Sequence, residues 1–207
     1  MNHRPFVIGV TGNIACGKSL VMSYLAELGA KTIDADQVYH RLIEPNKPLW
    51  LAVRDRFGPA IIREDGDIDR AALGKIVFSD RQALADLDAL THPAIVAEIR
   101  SQIADSTAKV LAVDAVKLIE SGLDRDCDSV WLVICDPEAA IDRLMERNGL
   151  SYGDAAARVN AQPDTAPKLA RADVVIDNSG SREETRRHIL SAWSAVQRDS
   201  STQEDCS

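Results

Sequence analysis

The chain has 207 residues, 45% of them hydrophobic and 27% charged, which suits one α/β domain with an insertion and excludes disorder as the main state. Its net charge of −8 argues against a general nucleic-acid binder, which needs a basic face. No apolar run approaches the roughly 18 residues of a membrane span, and the apolar start at residues 6–10 is too short for a secretory signal.

In chain order, residues 6–10 read as a short buried strand and residues 19–28 as a helix ended by Gly29. Residues 31–33 begin a second strand that closes on Asp34-Ala35-Asp36. Residues 37–107 are mostly helical, punctuated at Pro45, Pro48, Gly58-Pro59, Gly66 and Pro93, and read as an α-helical insertion. Further strands are predicted at 110–113, ending on Asp114, at 130–135, ending on Asp136-Pro137, and at 174–176. Helices are predicted at 139–147, 151–159 and 182–196, and residues 199–207 read as a frayed, flexible tail. Strands alternating with helices predict a parallel sheet, here of five strands, covered on both faces. The four cysteines, Cys16, Cys127, Cys135 and Cys206, lack zinc-ligand or C-x-x-C spacing, so a reducing, cytoplasmic setting is expected.

The segment Gly12-Asn13-Ile14-Ala15-Cys16-Gly17-Lys18-Ser19 fits G-x-x-x-x-G-K-[ST], with an apolar strand before it and a helical pattern after it. Gly12 and Gly17 allow backbone conformations closed to bulkier residues. Loop N–H groups then cradle phosphate oxygens at a helix N-terminus. Lys18 brings a point charge to the β- and γ-phosphates, and Ser19 a hydroxyl to Mg²⁺. The expected nucleotide-binding set is Gly12 through Ser19 with Leu20. Cys16 is read as acting through its backbone, a reactive thiol being the alternative. GTPase motifs are missing: Asn46-Lys47-Pro48-Leu49 lacks the aspartate of N-K-x-D and lies too early, Asp55-Arg56-Phe57-Gly58 matches D-x-x-G with no strand before it, and Asp177-Asn178-Ser179-Gly180 follows a strand but comes too late. A small kinase is the remaining reading.

Ligands in open α/β sheets bind beyond the carboxyl ends of strands. Asp34 and Asp36 follow the second strand, where an acceptor hydroxyl would arrive. Asp114 ends the third and is a Walker-B-like carboxylate for Mg²⁺. The alternative for each is a helix cap or surface charge, and Asp36, preceding a helical pattern, is read as a cap as well. Arg143 and Arg147 project from one helix face. They read as a mobile lid over the phosphates, hinged near Gly149 and Gly153, or else as a solvated stripe paired with Asp142 or Glu146.

These motifs together resemble the dephospho-CoA kinases, from Val7 to about Trp193. Gly9 through Ser19 resembles that family's G-L-T-G-G-I-G-S-G-K-S, and Ile33-Asp34-Ala35-Asp36 its I-D-A-D. Glu44-Pro45-Asn46, Asp65-Gly66, Asp69-Arg70, Leu73, Val77-Phe78, His92-Pro93 and Glu120-Ser121-Gly122-Leu123 follow in order. Arg143, Arg147, Arg158, Gln162, Ala172-Asp173 and Asp177-Asn178-Ser179-Gly180 complete the pattern. Departures are Asn13 for a glycine, and Asp114-Ala115-Val116-Lys117-Leu118-Ile119-Glu120 for D-I-P-L-L-F-E. There Lys117 is either a solvated lysine or a contact to a ligand phosphate.

The resemblance implies a P-loop fold with a nucleotide-binding core (1–36, 108–137 and 166–198), a CoA-binding insertion (37–107) and a lid (138–165). It implies ATP-dependent phosphorylation of the ribose 3′-hydroxyl of dephospho-CoA. Asp36 matches the proposed general base, Lys18 and Arg143 match contacts to the transferring phosphates, and the segment around Asn178 borders the ATP base. The expected partners are dephospho-CoA, no nucleic acid and no membrane, with the chain a monomer or weak homo-oligomer. The residues alone leave open a P-loop kinase of another metabolite or nucleoside, or an ATP-binding module without catalysis; Asp36 and the two arginines argue against the module.

Overall fold

Strand β1 (Phe6–Thr11) is buried at every position, as a strand covered on both faces must be. In the computed structural model, residues 4–205 are described, with side chains through residue 198. Helix α1 (Lys18–Glu27) and strand β2 (Lys31–Asp34) follow, then helices α2 (Ala35–Leu42), α3 (Pro48–Phe57), α4 (Arg70–Ser79) and α5 (Arg81–Ala104). The chain continues through β3 (Val110–Asp114), β4 (Ser129–Ile134), α6 (Pro137–Asn148), α7 (Tyr152–Asn160), α8 (Ala166–Leu169), β5 (Val174–Asp177) and α9 (Arg182–Asp205).

The five strands form one sheet in the order β2-β3-β1-β4-β5. β1 is central and pairs in parallel with β3 and β4, with Val10 opposite Asp114 and Thr11 opposite Leu132. The carboxyl ends of these strands therefore share one edge, and the loop after β1 leaves from its middle. Crossovers between parallel strands need helices, which cover the apolar faces. Ile8, Val10, Trp131 and Val133 of the sheet pack with Val21 and Leu25 of α1 and with Ile189, Trp193 and Val196 of α9.

Two compact units emerge: residues before Asp34 with those after Gln102, and Asp34–Gln102. The second is helical and has its own core of Trp50, Val53, Ile61, Leu73 and Val77. Its Trp50 indole N–H donates to the Gly66 carbonyl at 3.0 Å. An isolated antiparallel bridge, Ile62 to Ile68, is the extended pairing within it.

Two elements differ from the sequence-based expectation. α9 runs to Asp205, through most of the segment expected to be a frayed tail; nothing in that stretch, free of Gly and Pro, stops a helix already started on a buried face. Residues 206–207 lie outside the described residues. The four-residue α8 was not expected, since so short a run carries no helical period. Among the described residues, no helix is long and apolar enough to cross a membrane.

Candidate active site

The loop between β1 and α1 turns on two glycines. Gly17 has φ +92°, and a Cβ there would overlap Nδ2 of Asn178. A Cβ on Gly12 would overlap the Val133 carbonyl oxygen. Ala15, by contrast, holds φ 57° with a side chain, where the resembled motif has glycine; that region costs an L-residue roughly 1–2 kcal/mol. No side chain caps α1, and its first turn carries no acidic residue. Side chains do cap α2, α4 and α7, from Asp34, Asp69 and Ser151. At the amino end of α1 no side chain therefore competes with an anion for the backbone donors or the partial positive charge.

That end opens on a cavity of about 620 Å³. Lys18, Arg143, Arg147 and Arg182 line it against one carboxylate, Glu146, together with Ala15, Gly17, Ser19, Leu20, Asn178 and Gly180. Four cations in one cavity of a chain with net charge −8 make a local site for a polyanion. Lys18 Nζ donates to the Gly12 carbonyl at 3.1 Å, curling over the loop. Arg143 donates through Nη1 to the Ala15 carbonyl at 3.2 Å and through Nη2 to the Asn178 carbonyl at 2.7 Å. It is an anchored wall residue here, because the loop and the chain after β5 present carbonyls to it. Arg147 is exposed, with Nε donating to Asn148 Oδ1 at 3.1 Å.

The Asn178 side chain faces the loop. It is 3% exposed; Nδ2 donates to the Cys16 carbonyl at 2.8 Å, and Oδ1 accepts from Thr185 Oγ at 2.8 Å. Thr185, fully buried on α9, thereby fixes the amide that holds the loop. Sequence reasoning missed Thr185 and Arg182. Arg182 had a signal: a cation in the first turn of a helix opposes the macrodipole, so another requirement keeps it there.

Not all of the expected loop set lines this cavity. Asn13, Ile14 and Cys16 line a separate cavity of about 200 Å³ with Cys135, Gln162 and Thr165. The Ile14 N–H donates to Gln162 Oε1 at 3.3 Å and the Cys16 N–H to the Asn13 carbonyl at 3.4 Å. These two donors, expected to cradle phosphate, are taken by Gln162 and by the turn itself. Asn13 Nδ2 donates to Pro163 O and Thr165 Oγ, at 3.3 and 3.2 Å. Asn13 keeps an ordinary negative φ, since Ala15 and Asn46 are the non-glycine residues of positive φ among those described. Ile14 and Ala15 pack on Ile141 and Leu144 of α6 and Ala155 of α7, so the two helices expected to form a lid bear on the loop.

Asp114 ends β3 opposite Val10. The following segment, where the chain departs from the resembled pattern, is held at Val116: its carbonyl accepts from Thr11 Oγ and from Lys168 Nζ, each at 3.0 Å. Lys168 is only 4% exposed and was not anticipated. Ser19 and Asp114 are hard oxygen donors. Among the described residues no cluster of three or more His, Cys, Asp or Glu forms. Ser19 and Asp114 both belong to the ligand type Mg²⁺ takes, which binds through a few oxygen donors and keeps several waters.

Asp36 and Asp34 belong to the helical unit. Asp34 is the N-cap of α2, accepting from the Asp36 and Gln37 N–H groups at 2.8 and 3.2 Å. The expectation that Asp36 caps the helix is therefore corrected. Asp34 holds the extended backbone of a cap, whereas Asp36 is already inside the first turn, which leaves its carboxylate out of the capping contacts.

The family model of dephospho-CoA kinase matches residues 6–184. A dephospho-CoA kinase of Symbiobacterium thermophilum is 44% identical over 193 residues, covering 92% of this chain and 81% of that protein. A crystal structure from Thermus thermophilus superposes with TM-score 0.80 at 32% identity, over 93% of this chain and 97% of that one. The dephospho-CoA kinase structure from Campylobacter jejuni gives 0.69 at 31% identity, over 93% and 98%. With a P-loop on a five-stranded parallel sheet and a match along nearly its whole length, the chain belongs to the dephospho-CoA kinase family.

Proposed function

We propose that this chain, a phosphotransferase of dephospho-CoA by its family, moves the γ-phosphoryl group of ATP to the ribose 3′-hydroxyl of dephospho-CoA, giving coenzyme A and ADP. The observation that carries the reading is the cavity at the uncapped end of α1, lined by Lys18 and three arginines. A triphosphate is the polyanion that such a donor set suits.

Transfer between an alkoxide and ADP involves little covalent chemistry for the protein. Its work is to position the reactants and to neutralise charge on the equatorial oxygens. In this reading Lys18 leaves the Gly12 carbonyl for the β- and γ-phosphates. Arg143 and Arg147 cover the transferring group, and Arg182 meets the outer part of the nucleotide. The Asn178 amide holds the Cys16 carbonyl and so keeps the loop in its anion-binding shape; it acts on ATP by positioning the loop. Asp36 accepts the proton of the 3′-hydroxyl as the oxygen attacks the γ-phosphorus. Ser19 and Asp114 would hold Mg²⁺, which would supply charge neutralisation to the transferring phosphate. The helical unit takes the dephospho-CoA. We assign the enzyme to the cytoplasm, as a monomer or weak homo-oligomer.

The test is ADP release by the purified chain with dephospho-CoA against a panel of nucleosides and small hydroxylated metabolites. Turnover confined to dephospho-CoA is expected. Preferential turnover of another acceptor would overturn the assignment, and ATP binding without turnover of any acceptor would favour a nucleotide-binding module.

A further inference from the structure

A thiol of the nucleotide loop is paired with one after β4, and the transfer reaction uses neither. Cys16 sits in the loop, 7% exposed, within the core beneath the sheet's carboxyl edge. Cys135 directly follows β4 and packs against that core from its partly exposed position. Both line the cavity of about 200 Å³ on the far side of the loop and belong to the same packed core. Their positions, 16 and 135, are far apart in the chain, so only the fold brings them together.

We propose that Cys16 and Cys135 form an oxidisable dithiol, a modification site at which a hydroperoxide converts the pair to a disulfide and turns off nucleotide binding. The chemistry follows from the asymmetry of the pair. The Cys135 S–H and backbone N–H donate to the Cys16 sulfur, and the Lys18 and Arg143 cations stand near it. Together they bring the Cys16 thiol down to about 7 against the opposing effect of burial. Cys135, as the donor, is pushed up by the same hydrogen bond. Cys16 is then the attacking thiolate and Cys135 the resolving thiol. The Cys16 thiolate attacks the terminal peroxide oxygen, the O–O bond breaks, and hydroxide or alkoxide leaves and takes up the proton the Cys16 thiol released, with Cys16 as sulfenic acid. The Cys135 sulfur attacks the sulfenic sulfur, its S–H proton joins the departing hydroxyl, and water leaves as the S–S bond forms. Two thiols are oxidised by two electrons, and one hydroperoxide is reduced to water or an alcohol.

The site couples to nucleotide binding through its neighbours. The Cys16 carbonyl takes the Asn178 amide, the Ala15 carbonyl takes Arg143, and Gly17 starts α1. A covalent tie at Cys16 changes the loop at the three residues that shape the anion site. Cys127 provides an internal control: burial, with Asp126, Asp124 and Asp128 nearby, pushes its thiol up to about 12.

The test treats the full chain with graded hydrogen peroxide, blocks remaining thiols, maps disulfides by mass spectrometry and measures dephospho-CoA kinase activity in parallel. Expected is a Cys16–Cys135 linked peptide that rises as kcat/KM for ATP falls by at least tenfold, with both reversed by dithiothreitol and Cys127 still a thiol. Cys135→Ser should start with wild-type activity and form no linked peptide at Cys16. Absence of the linked peptide in the wild type, linkage without loss of activity, or linkage of Cys16 to Cys206 or Cys127 instead would each overturn the proposal. The activity arm rests on the nucleotide reading above. The peptide map does not, so a failure of one is told apart from a failure of the other.

Discussion

In the proposed reaction Lys18 meets the phosphates and Asp36 takes the proton of the acceptor hydroxyl. Lys18 donates only to the Gly12 carbonyl in a partly buried loop, so Lys18→Ala removes little packing. The expected result is a fall of at least about a hundredfold in kcat/KM with an unchanged melting curve; near wild-type turnover would remove Lys18 from the site. Because the Asp34 carboxylate caps α2, Asp36→Asn tests proton acceptance without loosening the helix. A loss on the order of a hundredfold in kcat is expected, the lower end for general-base assistance because the transition state is loose. The KM for ATP should stay near its wild-type value. Asp34→Ala should cost about 1 kcal/mol of stability, as loss of a cap does. Equal single-turnover rates for wild type and Asp36→Asn would move the base to another carboxylate. Two aspartates one residue apart after a strand are equivalent to a sequence reading; only where the strand bends into the helix decides which one caps. Gly12, Gly17, Lys18 and Ser19 were legible because their spacing is fixed by one short turn.

At the scale of elements, the amino end of α9 supports the nucleotide loop through Thr185 and Asn178. Thr185→Val keeps shape but leaves Asn178 Oδ1 buried without its donor, at a cost of about 1–3 kcal/mol. The amide then loses its orientation toward the Cys16 carbonyl. We expect the KM for ATP to rise several-fold while kcat falls less, with Thr185→Ser restoring both. A lower melting temperature with an unchanged KM would mean that the brace serves stability alone. This support was not legible in the sequence: Asn178 and Cys16 lie 162 positions apart, and Arg143 and Asn178 35, and no local pattern encodes such pairs. The far end of the same helix makes the opposite prediction. Its last buried side chain among those described is Val196, one turn beyond Trp193. Truncation after Arg198 should therefore shift stability by less than about 1 kcal/mol, as loss of a helix end does, whereas Trp193→Ala should cost about 3–5 kcal/mol. Thermal unfolding of both variants checks the pair, and a large loss on truncation would show that the end of α9 docks.

For the whole molecule, alternation of apolar strands and helices was enough to read the parallel sheet, because buried parallel strands are continuous apolar runs. The helical character of the stretch that holds α2 to α5 was legible, because it lacks any such run. What escaped was polar and long-range: the buried Lys168 on the Val116 carbonyl, and the use of the Ile14 N–H by Gln162. Both satisfy groups that folding buries, and burial is known only once the chain is packed. The proposed transfer ends on a single acceptor hydroxyl, and the most direct test replaces that hydroxyl. With ATP and Mg²⁺ in excess, ADP release is measured for dephospho-CoA and for its 2′-deoxy and 3′-deoxy analogues. Turnover of the first two is expected, and for the 3′-deoxy compound binding as a competitive inhibitor with no turnover. Phosphorylation of the 3′-deoxy analogue would contradict the proposed transfer.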